Sequence, residues 1–301
     1  MISPLPIAFL VTLHGLALGG FTSNAFITAV IVIEWAKSRS LNSSELLLLS
    51  LSISNICCTA SVMAVVYREH FNIRNYLMSR VTNVLLNIAV LSRYWFTAWL
   101  CVFYCIKIVN GTHSLFLWCK QRILCLLPWT LAASAVISIF SSVFAFQFVP
   151  VHLQSNTTTA NITDMTQNAG EDKILPSYEI FYFVIGCSGS LLVVLLCSTV
   201  TVAFLYRHVC QMTGKESSFR NPQTEAHFKA ARTVLFLLFL YLSFFLAQIL
   251  PLTSSTEYKK IVFCVYCIVL IGYSLAQAAI LVLVNTRLKQ ALTQMLPGRK
   301  P

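Results

Sequence analysis

The sequence predicts an all-α membrane protein, folded as one seven-transmembrane helix bundle over residues 1–301. Of the 301 residues, 57% are hydrophobic and 10% are charged, whereas an average soluble domain has about 25% charged residues. Long apolar runs follow one another along the chain, and a membrane-spanning helix needs about 20 such residues. The longest segments between the runs, residues 151–178 and 207–228, are too short for a separate soluble domain.

The apolar runs define the seven expected helices in chain order. Six runs contain no Asp, Glu, Lys or Arg, and the third span is interrupted once, by Arg93. The fourth run ends as a helix near Pro150, because proline and the polar residues from Gln154 onward do not continue a spanning helix. The expected helices cover about residues 5–33, 46–67, 81–107, 123–149, 179–206, 231–253 and 261–285.

The distribution of basic residues predicts a plasma-membrane protein with an extracellular N-terminus and a cytoplasmic C-terminus. Cytoplasmic loops carry an excess of Lys and Arg, and this orientation places fourteen basic residues inside and six outside. The sequons at Asn156 and Asn161 then lie in an extracellular loop, where glycosylation is expected. The sequons at Asn42 and Asn110 fall in cytoplasmic turns and should be unmodified.

The composition also argues against several functional classes. The net charge of +11 is distributed between the apolar runs, so the expected neighbour is an anionic lipid bilayer and not nucleic acid. The apolar runs contain no Asp or Glu, and the chain has no His-Glu-X-X-His or Gly-X-Ser-X-Gly motif. We therefore expect no enzymatic activity, no cofactor and no metal site.

Arg93 is the one charged residue in the interior of an expected span, since Lys107, Glu179 and Arg232 lie at span ends. Such residues face the interior of a helix bundle or extend their charge to the membrane surface, and the sequence leaves both orientations open. Coupled transporters also carry intramembrane charges, usually together with paired broken helices. One arginine does not define a transport pathway, so a small polytopic transporter is the alternative from a different class.

Four motifs in two regions of the chain carry a family resemblance. Residues 95–110 read Trp-Phe-Thr-Ala-Trp-Leu-Cys-Val-Phe-Tyr-Cys-Ile-Lys-Ile-Val-Asn, and residues 116–123 read Phe-Leu-Trp-Cys-Lys-Gln-Arg-Ile. The third predicted cytoplasmic loop contains His-Val-Cys-Gln-Met at 208–212 and Phe-Arg-Asn-Pro-Gln-Thr-Glu-Ala-His-Phe-Lys-Ala at 219–230. This order of motifs resembles that of the vertebrate bitter taste receptors (taste receptor type 2). The resemblance implies a G-protein-coupled receptor fold and a divergent member of that family.

The resemblance implies a chemosensory function, in which a bitter small molecule activates a heterotrimeric G protein such as gustducin or a Gi-like protein. The vomeronasal-type pheromone receptors are a related alternative, but the Thr-Glu-Ala-His element argues against them. By the matched motifs, the residues implied in G-protein coupling are Tyr104, Lys107, His208, Met212, Glu225, His227 and Lys229.

The resemblance also implies a ligand site between the helices. Trp95 and Trp99 are four residues apart and share one helix face to within about 40°, so they line the pocket or serve as helix packing. Phe244 matches a family pocket tyrosine, with Tyr241 and Gln248 one turn to either side. Cys267 stands where some relatives have an acidic residue. We therefore expect aromatic contacts and a few hydrogen bonds to hold the ligand, without a carboxylate.

The sequence departs from the family pattern at two places. The family generally has arginine in the second helix where this chain has Asn55, and it commonly has His-Ser in the seventh helix where this chain has Gln277-Ala278. These positions normally belong to a polar network between helices one, two and seven. We expect Asn24, Asn55 and Gln277 to form hydrogen bonds in that network, and basal activity to be altered.

Overall fold

A computed structural model of the protein describes residues 6–73, 75–109, 114–148, 186–213, 222–253 and 258–295. Within them the chain forms eight helices, and seven are long and apolar enough to cross a membrane. The predicted seven-helix membrane fold is confirmed. The helices are α1 (Ile7–Ser38), α2 (Ser43–His70), α3 (Tyr76–Ile108), α4 (Ser114–Phe148), α5 (Gly189–Thr213), α6 (Pro222–Thr253), α7 (Lys259–Val284) and α8 (Thr286–Met295).

Several helices extend beyond the apolar runs that predicted them. α1 continues to Ser38 and ends where Arg39 adopts a left-handed conformation, its N–H donating to the Trp35 carbonyl. α2 begins at Ser43, because Asn42 and Glu45 form a capping box that satisfies the first backbone N–H groups. Hydropathy detects the part of a helix that lies in hydrocarbon, whereas these caps set where the helix starts and stops.

α3 is the central helix of the bundle. It packs against α2, α4 and α5, while α7 packs against α1, α2 and α6. We call the end of the bundle that contains Pro6, Phe71, Asn75 and Tyr258 the N-terminal face, and the end that contains Arg39, Asn42, Val109 and Asn285 the C-terminal face. Residues of different helices can then be compared by their distance from either face.

The buried core has two parts. The first contains Tyr94, Tyr241, Phe244 and Tyr273 together with aliphatic residues and cysteines. The second lies nearer the C-terminal face and is mostly aliphatic, with leucines and isoleucines from α1, α2, α3, α4, α6 and α7. Several of the buried polar residues lie at the level where the two parts meet, including Asn24, Asn55 and Gln277.

Arg287 connects three helices at the C-terminal face. Its Nη1 lies 3.2 Å from Glu34 Oε1 at the end of α1 and 2.6 Å from Glu45 Oε1 at the start of α2. Arg287 is the second residue of α8, and Leu288 beside it is buried. The ion pairs and this apolar contact hold α8 against the bundle.

Candidate functional site: an aromatic cluster above a polar layer

Four aromatic side chains meet in the middle of the bundle, and we call them the aromatic cluster: Tyr94, Tyr241, Phe244 and Tyr273. The Tyr94 ring centroid lies 5.3 Å from that of Tyr241 and 4.8 Å from that of Phe244. The Phe244 and Tyr273 centroids are 4.7 Å apart. All four side chains are buried. The cluster therefore couples α3, α6 and α7 through ring contacts, which have preferred geometries.

α5 joins the aromatic cluster through a hydrogen bond. The Ser190 Oγ lies 2.7 Å from the Tyr241 hydroxyl oxygen, and either atom can donate. Ser190 is itself buried, and its hydroxyl oxygen also lies within hydrogen-bond distance of the Gly186 and Cys187 carbonyls, at 2.8 Å and 3.0 Å. A displacement of α6 relative to α5 would break the Ser190–Tyr241 contact. The contacts of the cluster therefore depend on the relative positions of four helices: α3, α5, α6 and α7.

Arg93 lies beside the aromatic cluster and is 0% exposed. Its Nη1 donates to the Leu270 carbonyl at 3.1 Å and its Nη2 donates to Ser274 Oγ at 2.8 Å. The guanidinium carbon lies 5.2 Å from the Phe244 ring centroid and 5.1 Å from that of Tyr273, within the range of a cation–π contact. Of the two orientations left open by the sequence, the structure has Arg93 directed into the bundle.

The structure brings together the three residues expected in the interhelical polar network. Asn55 Nδ2 donates to Asn24 Oδ1 at 3.1 Å and to Gln277 Oε1 at 3.0 Å. Asn24 Nδ2 donates in turn to the Gly20 and Ser274 carbonyls, at 2.8 Å and 3.3 Å. These contacts connect α1, α2 and α7 without an arginine on α2.

The network extends to residues that the sequence analysis missed, and we call the whole set the polar layer. Thr59 Oγ1 is 3.3 Å from Ser274 Oγ, which also accepts from Arg93. Gln277 Nε2 donates to Thr97 Oγ1 and to the Tyr273 hydroxyl, both at 3.1 Å. Arg93 thus supplies a cation to this layer from α3. The i, i+4 spacing of Asn55 and Thr59 places both on one face of α2, so the sequence alone could have indicated that Thr59 belongs to the network.

Two further residues expected in the ligand site lie toward the N-terminal face: Gln248 follows Phe244 by four residues on α6, and Cys267 precedes Tyr273 by six residues on α7. Both are buried. The Tyr266 hydroxyl donates to Gln248 Oε1 at 3.4 Å, joining α7 to α6. Gln248 Nε2 has no hydrogen-bond partner among the described residues.

The structure describes a contact with a neighbouring helix for one of the two predicted tryptophans. Trp99 Nε1 donates to Ser134 Oγ at 2.9 Å, so its indole packs against α4. Trp95 is half-buried, and it is Tyr94 that contacts Tyr241 and Phe244. Consecutive residues of a helix point about 100° apart, so Tyr94 and Trp95 face different directions, and a role of Trp95 or Trp99 in ligand binding stays a prediction.

The predicted coupling residues are described only in part. Tyr104 is partly buried within the C-terminal core, its ring centroid 6.1 Å from that of Phe103, and Lys107 is exposed. The other predicted positions lie outside the residues whose side chains the structure describes: His208, Met212, Glu225, His227 and Lys229. The predicted glycosylation sites, Asn156 and Asn161, also lie outside the described residues.

Comparison with known proteins identifies the family. The family model described as Taste receptor protein (TAS2R) matches residues 1–300. The chain belongs to the taste receptor family. This taste receptor is 30% identical to taste receptor type 2 member 8 of Gorilla gorilla gorilla, over 100% of its own length and 98% of the relative's. It is 28% identical to member 8 of Papio hamadryas over the same shares, and 26% identical to member 2 of Homo sapiens over 93% of each chain.

Family membership and seven spanning helices make this taste receptor a multi-pass plasma-membrane protein. It is a G-protein-coupled chemosensory receptor for small molecules and not an enzyme. The pheromone-receptor and transporter alternatives are not favoured. The aromatic cluster and the polar layer are therefore the candidate parts for ligand recognition and for the conformational change that follows it.

Proposed function

We propose that this receptor detects bitter small molecules and signals through gustducin or a Gi-like heterotrimeric G protein. The observation that carries the proposal is the direct connection of the aromatic cluster to the polar layer through Arg93 and Tyr273. A ligand that displaces a ring of the cluster changes the environment of groups that tie α1, α2, α3 and α7 together. Such a ligand shifts the receptor's equilibrium when it binds two helix arrangements with different affinities.

The proposed ligand site lies at the aromatic cluster and on its N-terminal side. Tyr241 and Phe244 form its boundary toward the C-terminal face, and Gln248 and Cys267 lie on the side of the N-terminal face. Ligand pockets between helices are mostly apolar with a few polar groups that fix orientation, as in this set of residues. Trp95 and Trp99 are proposed to support the site by holding α3 against its neighbours, since Trp99 hydrogen-bonds to α4.

The proposed topology places the N-terminal face outside the cell. The excess of Lys and Arg in the segments at the C-terminal face supports it. Under this topology the single domain of residues 1–301 exposes Asn156 and Asn161 to glycosylation. The ligand then enters from the extracellular side, at the end where Gln248 and Cys267 lie.

G-protein coupling is proposed at the C-terminal face. The matched motifs assign this role to Tyr104 and Lys107 on α3 and to five positions on α5 and α6: His208, Met212, Glu225, His227 and Lys229. Lys107 is exposed at the end of α3, where it is accessible to a partner. The Arg287 ion pairs to Glu34 and Glu45 lie on the same face, so α8 is positioned next to the proposed coupling surface.

The proposal is tested by expressing the receptor with a promiscuous G protein and recording calcium responses to a panel of bitter compounds. Coupling to a Gi-like protein predicts that the same agonists lower cAMP in cells that supply only such G proteins. Cells that display an inactive control receptor should not respond. Flux of a compound into liposomes that contain the receptor but no G protein would instead support a transporter and overturn the proposal.

A further inference from the structure

Among the residues that the structure describes, Arg93 forms no ion pair. No Asp or Glu occurs in the apolar runs, and the ion pairs of the described residues involve Arg68 and Arg287 instead. The neighbours of the guanidinium are the Leu270 carbonyl, the Ser274 hydroxyl, two aromatic rings and the Cys58 thiol. None carries a formal negative charge. Unpaired charges at this depth are costly, and where they persist they commonly serve as ligand counter-ions or lie on ion pathways.

Arg93 also retains hydrogen-bonding capacity. A guanidinium has five N–H donors and no acceptor. Its Nη1 and Nη2 have the partners named above, whereas the buried Nε has no hydrogen-bond partner among the described residues. Buried donors are usually paired, so an unpaired one indicates a missing partner such as a ligand or an ion.

A second unpartnered donor points to the same region. Gln248 is 8% exposed, and its Nε2 has no hydrogen-bond partner in the described part of the chain. It follows Phe244 by one turn of α6, and its partner Tyr266 precedes Leu270 by one turn of α7. Phe244 and Leu270 both contact Arg93. Gln248 therefore lies about 5.4 Å closer to the N-terminal face than this contact, the rise of one helical turn.

We propose that Arg93 and Gln248 recognise the acidic group of an anionic agonist, a carboxylate or sulfonate carried on an aromatic body. The inference rests on the proposed function, since it names the ligand class of the proposed site. Carboxylates and sulfonates accept hydrogen bonds and match the planar donors of a guanidinium. The rings of Phe244 and Tyr273 supply aromatic contacts for the rest of the ligand.

The electrostatics of the site favour this class over its alternatives. Attraction between unit charges increases as the local dielectric constant falls, and no carboxylate of the described residues pairs with Arg93. A neutral isostere satisfies fewer of the unpaired donors, and a site built for a charged or polar group rejects the analogue that lacks it. A cationic ligand is repelled by Arg93. The expected order of potency is therefore acidic, then neutral, then cationic.

The test uses three probes on one aromatic body: naphthalene-2-carboxylate, naphthalene-2-sulfonate and naphthalene-2-carboxamide. A neutral agonist from the bitter panel serves as a reference for the proposed function. In the wild-type receptor the two anions should be at least tenfold more potent than the amide. In Arg93→Gln the anions should lose that advantage, whereas Arg93→Lys, which keeps the charge, should retain an anion preference.

Arg80→Gln is the matched control, because it removes a charge from the same helix at its part-exposed beginning. It should preserve the ratio between anion and amide potencies. Should Arg93→Gln fail to reach the cell surface, the wild-type receptor alone decides. An amide as potent as the anions, together with a normal response to the reference agonist, would overturn the inference and leave the proposed function standing.

Replacing chloride in the medium with gluconate tests whether Arg93 binds an organic acid or an inorganic anion. If an organic acid is the ligand, the anion advantage over the amide should persist in gluconate. Reference-agonist potency that depends on chloride, without any preference for the organic anions, would assign Arg93 to an inorganic anion and overturn the proposal. An absence of any agonist in the whole panel would instead count against the proposed function.

Discussion

Asn55 Nδ2 lies 3.0 Å from Gln277 Oε1 and thereby connects α2 to α7 inside the bundle. The same nitrogen also donates to Asn24 on α1, so one amide group holds three helices. Both partner side chains are fully buried. Removal of the Asn55 amide leaves two buried acceptors without a donor, and the arrangement of α1, α2 and α7 loses part of its stability.

Asn55→Leu should therefore raise basal signalling. Interhelical hydrogen bonds in membranes contribute about 0.6 kcal/mol each on average, and two of them correspond to a shift of about sevenfold between helix arrangements. We expect basal G-protein activity to rise several-fold at equal surface display, measured as ligand-free cAMP or calcium signal. Ser61→Ala on the exposed side of α2 is the control, since its hydroxyl bonds only to its own helix at Cys57. Unchanged basal activity in Asn55→Leu would contradict a role of the polar layer in the switch.

The seven spans could be predicted from the sequence because the thickness of the hydrocarbon core dictates the length of an apolar run. The rotation of each helix about its own axis could not be predicted from the sequence. α3 is buried on most sides by α2, α4 and α5, so its apolar pattern does not single out one inward face. Trp95 was assigned to the site by family likeness, whereas the contacts of Tyr94 with Tyr241 and Phe244 could not be predicted from the sequence.

Arg93 shows a second limit of the sequence. The absence of arginine at Asn55 indicated a changed polar network, but the sequence did not show that α3 supplies a cation to the same layer. The direction of the Arg93 side chain depends on Leu270 and Ser274, which are 177 and 181 residues away in the chain and come close only in the folded bundle. Asn24, Asn55 and Gln277 were predictable as a group because each is a polar residue at a matched position in an apolar helix.

Glycosylation should report the topology. If the N-terminal face is extracellular, the tagged receptor should show a mobility shift that glycosidase removes and that is lost in the Asn156→Gln, Asn161→Gln double variant. Asn42→Gln and Asn110→Gln are matched controls from sequons assigned to the cytoplasm. A shift that survives in the double variant and disappears in either control variant would invert the proposed orientation.

Gly186 should tolerate no side chain. It lies in the single π-helical turn of residues 186–188 that precedes α5, and a Cβ atom built there would overlap Leu91 Cδ2 on α3. Leu91 is buried and has little room to move. Overpacking typically costs about 1–3 kcal/mol, so Gly186→Ala should lower the thermal stability of the purified receptor.

Two variants control the Gly186 prediction. Gly272→Ala on α7 meets no atom within 4 Å and should be neutral or slightly stabilising, since alanine favours a helix interior over glycine. Leu91→Ala added to Gly186→Ala should relieve the overlap. A Gly186→Ala receptor that unfolds at the wild-type temperature would show that α3 and α5 are not as close as the structure has them.

Phe244 should determine agonist potency. Its ring lies between Tyr94 and Tyr273 and within reach of Arg93, so any ligand that enters the aromatic cluster contacts or displaces it. Removing a buried aromatic side chain deletes apolar contact worth about 1.5–3 kcal/mol, and each 1.4 kcal/mol is about tenfold in affinity. Phe244→Ala should therefore raise the half-maximal agonist concentration by about tenfold or more, measured in the calcium assay at matched surface display.

Phe239→Ala is the matched control, because it removes the same side chain from the same helix at a position that is 68% exposed. Its agonist potency should remain near that of the wild type. Phe244→Leu separates packing from recognition: leucine fills much of the space but has no ring, so display should recover while potency stays reduced. A Phe244→Ala receptor that reaches the surface and responds to several unrelated agonists at wild-type concentrations would move the ligand site away from α6. In that case the four rings would serve only to pack α3, α6 and α7 together.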